Sequence, residues 1–204
     1  KGVREIPRNS GLRKSKPDGI TDEWKDVKSY YLDTKGDTYH RDHNGYAGLR
    51  YTNDSGRNDI VEAKVTTDRK YMNFYVRTDS TMTPYTDKNW MLLLIDADHD
   101  SSTGWYGYDF IVSLEVKSDC KTTLKRYDSK LGQWTDAATI DYAVNGCEME
   151  LRVPRKLMGL TGDDVTFDFK WADNPQSLDT PISLCTDGDT APNRRFNYRY
   201  IWQK

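Results

Sequence analysis

The stretch NWMLLLIDADHDSSTGWYGYDF, residues 89–110, decides the reading of the fold. Its run WMLLLI, residues 90–95, is continuously apolar and of strand length, too short for a core helix, and predicts a central strand covered on both faces. The run stops at Asp96, where a loop begins that carries Asp96, Asp98 and Asp100 and then Trp105 and Tyr106 between glycines. YDFIVSLEV then resumes a period of two, which predicts a second strand with Tyr108, Phe110, Val112, Leu114 and Val116 on one face.

The same period recurs outward from this centre. In IVEAKVTT, Val61, Ala63 and Val65 alternate with Ile60, Glu62 and Lys64, and after a polar TDRK turn Met72, Phe74 and Val76 alternate in their turn. This predicts a hairpin with one buried face. Cys147, Met149, Leu151 and Val153 form a further face that Pro154 stops. Val165, Phe167, Phe169 and Trp171 form another, and Phe196, Tyr198, Tyr200 and Trp202 a last one. Only RKLMGL reads as a helical turn of note, and Trp24 in DGITDEW reads as a structural anchor. Many short strands parted by Gly, Asp, Asn and Ser predict an all-β antiparallel β-sandwich, with a barrel as the alternative. Residues 1–17, with six basic residues and two prolines, read as a connector, and residues 18–204 as one domain.

With 30% charged residues, 14 Tyr and 6 Trp, the surface is very polar and aromatics carry much of the core. A net charge of −2 argues against nucleic acid as a partner, because its backbone is met by a clustered basic face. No apolar run approaches the ~20 residues of a membrane span. Cys120, Cys147 and Cys185 contain no CxxC and argue against a disulfide framework, leaving at most one bridge.

Asp96, Asp98 and Asp100 would repel one another unless a cation sits among them, and hard oxygen ligands of this kind suit Ca²⁺. An EF-hand is excluded, since Ser101 and Gly107 stand where that loop needs Gly and Glu. The expected set is Asp96, Asp98 and Asp109, with Asp100 as turn chemistry; aspartates capping a hydrated turn are the competing reading. Trp105 lies outside the alternation and reads either as a flat surface for a sugar ring or as a lid on the core. GRND, residues 56–59, and WADN, residues 171–174, put carboxylates and amides at strand ends. His40, His43 and His99 lack a zinc context, and no nucleophile elbow or P-loop is present.

Taken in order, DGITDEW, GRNDIVEAKVTTDRKYMNFYV, NWMLLLIDADHDSSTGWYGYDF, FKWADN and GDTAPNRRFNYRY resemble β-sandwich domains similar to family 9 carbohydrate-binding modules. Such domains stand C-terminal to bacterial glycoside-hydrolase-like catalytic domains. The resemblance covers roughly residues 17–202. It implies a non-catalytic sugar-binding accessory domain with loop-supporting Ca²⁺, an upstream catalytic domain in the same polypeptide, a polysaccharide or oligosaccharide partner, and a secreted, periplasmic or cell-surface location. It makes Trp90 the first stacking platform, and Asp173 and Asn174 the hydroxyl partners; Trp105, from its place in the loop, is the second candidate for stacking on sugar. Near the C-terminus the second platform of the family is replaced by Arg194 and Arg195, so Arg195 joins the expected sugar contacts. The alternatives are a structural sandwich packed on its catalytic domain, without its own sugar site, and a carboxylate-dependent glycosidase.

Overall fold

Period-two alternation turns into paired strands along most of the chain. The computed structural model describes residues 3, 4 and 11–203. Its strands are β1 (Val3–Arg4), β2 (Tyr30–Leu32), β3 (Arg41–Asn44), β4 (Arg50–Asn53), β5 (Ile60–Thr67), β6 (Tyr71–Thr78) and β7 (Leu92–Asp96). There follow β8 (Phe110–Val116), β9 (Lys121–Asp128), β10 (Gln133–Asn145), β11 (Glu148–Pro154), β12 (Asp164–Asp173), β13 (Asp189–Ala191) and β14 (Asn197–Gln203). RKLMGL supplies a 3₁₀ turn at Arg155–Met158. A short helix, α1 (Pro181–Thr186), arises where no apolar period announced one, with Pro181 at its first turn, where a missing N–H costs nothing.

The all-β, largely antiparallel class is borne out; β1 against β14 is the parallel pair among the described strands. The expectation of two separate sheets needs modification. The strands follow one hydrogen-bonded path, β1-β14-β12-β7-β8-β9-β10-β11-β6-β5-β2, with β13 added to β12 and β3-β4 as a separate hairpin. The path bends at β10, whose residues 133–141 pair with β9 and whose residues 142–145 pair with β11, with a register shift between Asp136 and Ala138. The change of partner, between residues 141 and 142, lets one strand serve both layers. The result is a nearly closed, barrel-like sheet. Opposite β10, side chains bridge the seam: Tyr31 Oη donates to the Arg199 carbonyl at 2.9 Å and Tyr198 Oη to that of Leu32 at 3.1 Å.

β7 is buried along its whole length. Leu93 and Ile95 face the main core with Phe74, Phe167, Phe169 and Trp171, while Leu92 and Leu94 face a second cluster with Trp105, Tyr108, Ile111 and Leu184. That two-sided cover explains the unbroken apolar run, and each such side chain contributes roughly 1.5–3 kcal/mol by its burial. The β8 alternation holds only in part: Phe110 and Val112 enter the main core, but Leu114 packs with the second cluster. Ser113 takes φ +65 and the register against β9 shifts between Val112 and Val116, which turns the following side chain over. Phe196, expected in the last core face, is instead exposed, because β14 begins one residue later.

Of the segment read as a connector, residues 1, 2 and 5–10 lie outside the described residues. Residues 11–17 are held to the domain: Trp202 Nε1 donates to the Gly11 carbonyl at 3.0 Å, and Arg13 N to that of Thr67 at 2.8 Å. The three cysteines are free.

Trp24 is the anchor its sequence context predicts. Its Nε1 donates to Glu150 Oε2 at 2.9 Å, while Gly19 N and Asp18 N donate to Glu150 Oε1 at 2.9 and 3.2 Å. Burial raises the Glu150 carboxyl above its ordinary range, and these donors pull it back. Glu150→Ala would strand the buried indole N–H and is expected to cost about 1–3 kcal/mol in urea unfolding. The folded pKa of Glu150 lies above the unfolded one, so wild-type stability from this group falls as pH rises through that interval. The deficit of Glu150→Ala should therefore be larger near about pH 4.5 than near about pH 8. A variant within about 0.5 kcal/mol of wild type at both would contradict the tie.

Candidate functional site

The residues expected to stack on sugar are enclosed. Trp90 is 2% exposed; its ring meets Tyr142 edge-on at 5.8 Å between centroids, and its Nε1 donates to the Thr83 carbonyl at 2.9 Å. Its position as a platform is corrected: both the apolar ring and its polar tip are already used inside the fold. Trp105 is 8% exposed and packs on Tyr106, Tyr108 and Trp134, so of its two readings the lid is the one found. Gly104 makes that turn possible, at φ +61 with the Tyr108 carbonyl 2.2 Å from where a Cβ would sit.

Asp173 is fully buried and accepts from Arg57 Nε at 2.7 Å and from Met91 N at 2.9 Å, which leaves it no role as a hydroxyl partner. Asn174 donates to Ser55 Oγ at 3.1 Å and receives Gln176 on the surface. Arg195 is exposed. The structure thus does not gather the five expected sugar contacts into one site.

The expected metal residues do converge. Asp96, Asp98 and Asp109 each offer an oxygen within 4.8 Å of the others. Each also accepts backbone N–H groups of its own loop: Asp96 from His99, Asp98 from Asp100 and Asp109 from Ala97, all at 2.8 Å. Burial raises the Asp109 carboxyl, followed by repulsion from Asp98 among other causes. Asp100 is exposed turn chemistry, held low by Ser102.

An opening lies elsewhere among the described residues. A cleft of about 960 Å³ is formed by the loop after β2, the β3-β4 hairpin and the loop between β13 and β14, with α1 behind it. Asp33 and Asp37 line it from the first loop, Arg41, His43 and Tyr51 from the hairpin, and Asn193, Arg194 and Phe196 from the third segment. His43 stacks on Tyr51 at 5.3 Å with rings 14° from parallel, and the guanidinium of Arg41, on β3, lies 6.0 Å from the Tyr51 ring on β4. Phe196 stands at the rim, 47% exposed. Asn193 Nδ2 donates to Asp33 Oδ1 at 3.1 Å and to Asp37 Oδ2 at 2.5 Å. Desolvation, then repulsion from Asp37, pushes the Asp33 carboxyl up to about 7.

Apart from His43, weighed only as a zinc ligand, and Arg194, noted as replacing a platform, the sequence reading missed this constellation. The available signal was the density of Asp, Arg, His and Tyr in LDTKGDTYHRDHNG, which alternation does not explain.

Comparison with known proteins finds no match among protein families, curated proteins or solved structures. Fold and site define the class alone: an all-β, mostly antiparallel domain with a polar cleft bearing an aromatic rim.

Proposed function

We propose that this is a non-catalytic carbohydrate-binding domain that takes sugar in the cleft between the β3-β4 hairpin and the loop following β13. The observation that carries the reading is the exposed ring of Phe196 at the rim of a cavity whose lining also includes the Tyr51 and His43 rings, two carboxylates, two amides and two guanidinium groups. A flat apolar face lies against the C–H face of a pyranose, and fixed polar groups around it pair with hydroxyls. A volume of about 960 Å³ suits an oligosaccharide segment rather than a macromolecular face. The stretches that resemble family 9 carbohydrate-binding modules point the same way. Ca²⁺ at Asp96, Asp98 and Asp109 and an upstream catalytic domain in a secreted or surface polypeptide belong to the same proposal. Tethering would then raise the effective concentration of the enzyme at its polysaccharide.

Affinity electrophoresis through a panel of plant and bacterial polysaccharides tests the reading. Wild type is expected to be retarded, and Phe196→Ala and Arg194→Ala to weaken that retardation about tenfold, a loss of about 1.4 kcal/mol each. Both side chains are exposed, so melting temperature should hold. Free migration of wild type on every polysaccharide, or retardation indifferent to both substitutions, would refute the proposal.

A further inference from the structure

At the floor of the cleft, Asp33 and Asp37 from the loop after β2 converge with Asp189 from β13, each offering a carboxylate oxygen within 4.8 Å of the other two. Two ligands held at the Ca²⁺ distance of about 2.3–2.6 Å can be no farther apart than about 4.6–5.2 Å, so a single ion can bridge such a set. Asp189 is fully buried on β13. One of its oxygens accepts from Ile60 N at 2.6 Å; the other, Oδ1, has no hydrogen-bond partner among the described residues. Asp33 Oδ2 and Asp37 Oδ1 are in the same condition, their second oxygens being taken by Asn193.

Each of the three carboxylates therefore keeps one oxygen unsatisfied, and Asp59, close enough to repel Asp189, adds a fourth negative group. An unpaired buried carboxylate is costly, and several together are more so. Arg41 and Lys170 attract Asp37 and Asp33 through space; Arg41 also donates to the Gly188 carbonyl and Lys170 to those of Pro192 and Phe196.

We propose that Asp33, Asp37 and Asp189 bind a hard divalent cation of the Ca²⁺ type at the floor of the cleft, a site separate from the Asp96 loop. Two segments far apart in sequence, the loop after β2 and β13, are then clamped by one ion. Asp33 and Asp37 line the cleft, so the site adjoins it. The site does not depend on the sugar reading, and the ion alone probes it.

Chelator-treated protein titrated with Ca²⁺ by calorimetry, with melting temperature followed in parallel, provides the test. Asp33→Asn and Asp37→Asn are each expected to lower the number of bound Ca²⁺ by one per chain, or to weaken that site at least tenfold, whereas Asp98→Asn leaves it intact. In chelator, Asp33→Asn should melt no lower than wild type, because it relieves repulsion; this separates a lost ligand from a lost fold. Wild type without Ca²⁺ binding, Asp33→Asn and Asp37→Asn with unchanged binding, or Asp98→Asn alone abolishing all of it would overturn the assignment. Polysaccharide retardation measured in chelator reports on sugar binding independently, so either proposal can fail alone.

Discussion

Replacing Arg57 by methionine is expected to destabilise the domain by about 3–5 kcal/mol in urea unfolding, although the side chain lies in a loop. Arg57 and Asp173 are 13% and 0% exposed, and Arg57 also reaches the carbonyls of Lys88 and Asn89 at 2.9 and 3.3 Å. The pair therefore ties the turn before β5 to the entry of β7 and the end of β12. Desolvation already raises the Asp173 carboxyl, and Arg57 is the chief influence drawing it back. Without the guanidinium, a buried charge is left with Met91 N and the Asn58 side chain as its donors, a situation much costlier than never having built the pair. Arg57→Lys should recover only part of the loss, because an ammonium cannot reach Asp173 and two carbonyls in one plane. A methionine variant as stable as wild type would mean that water replaces the guanidinium.

Trp90→Ala belongs with it in size, at about 3–5 kcal/mol. The indole fills space between Tyr142 and the loop that presents Thr83, so its removal opens a cavity and strands a carbonyl. The decisive comparison is with Phe196→Ala. Trp90→Ala should lower the midpoint of unfolding strongly and leave sugar affinity of the folded fraction unchanged; Phe196→Ala should do the reverse. A Trp90→Ala protein with normal stability and lost sugar binding would restore the tryptophan as a platform.

These two residues mark the boundary of what the sequence reveals. Alternation is a local property, so β5, β6, β11 and β12 and the two-sided burial of β7 were legible from spacing alone. Where one backbone angle breaks the period, as at Ser113, or a strand starts a residue late, as before Asn197, spacing misassigned Leu114 and Phe196. Whether an aromatic is a platform or a core residue depends on what lies over it, and for Trp90 that is Tyr142, brought there by the sheet. The cleft was illegible for the same reason: Asp33, Tyr51 and Asn193 meet only after β2, β4 and β13 are in place. The Asp96 loop, by contrast, converges within fourteen residues, and its three aspartates could be picked from the sequence.

β10 carries a consequence for how the domain comes apart. Because one strand is stitched to β9 along its first part and to β11 along its last, the two layers cannot part at β10 without breaking that strand's own pairing. Amides on β9 and β11 therefore share one opening event, and their hydrogen exchange should run on a common clock set by global unfolding. A molecule built as two stacked sheets could breathe between its layers on either side; in this one, creased from a single sheet, the layers stay joined through β10 and can open only at the seam between β2 and β14.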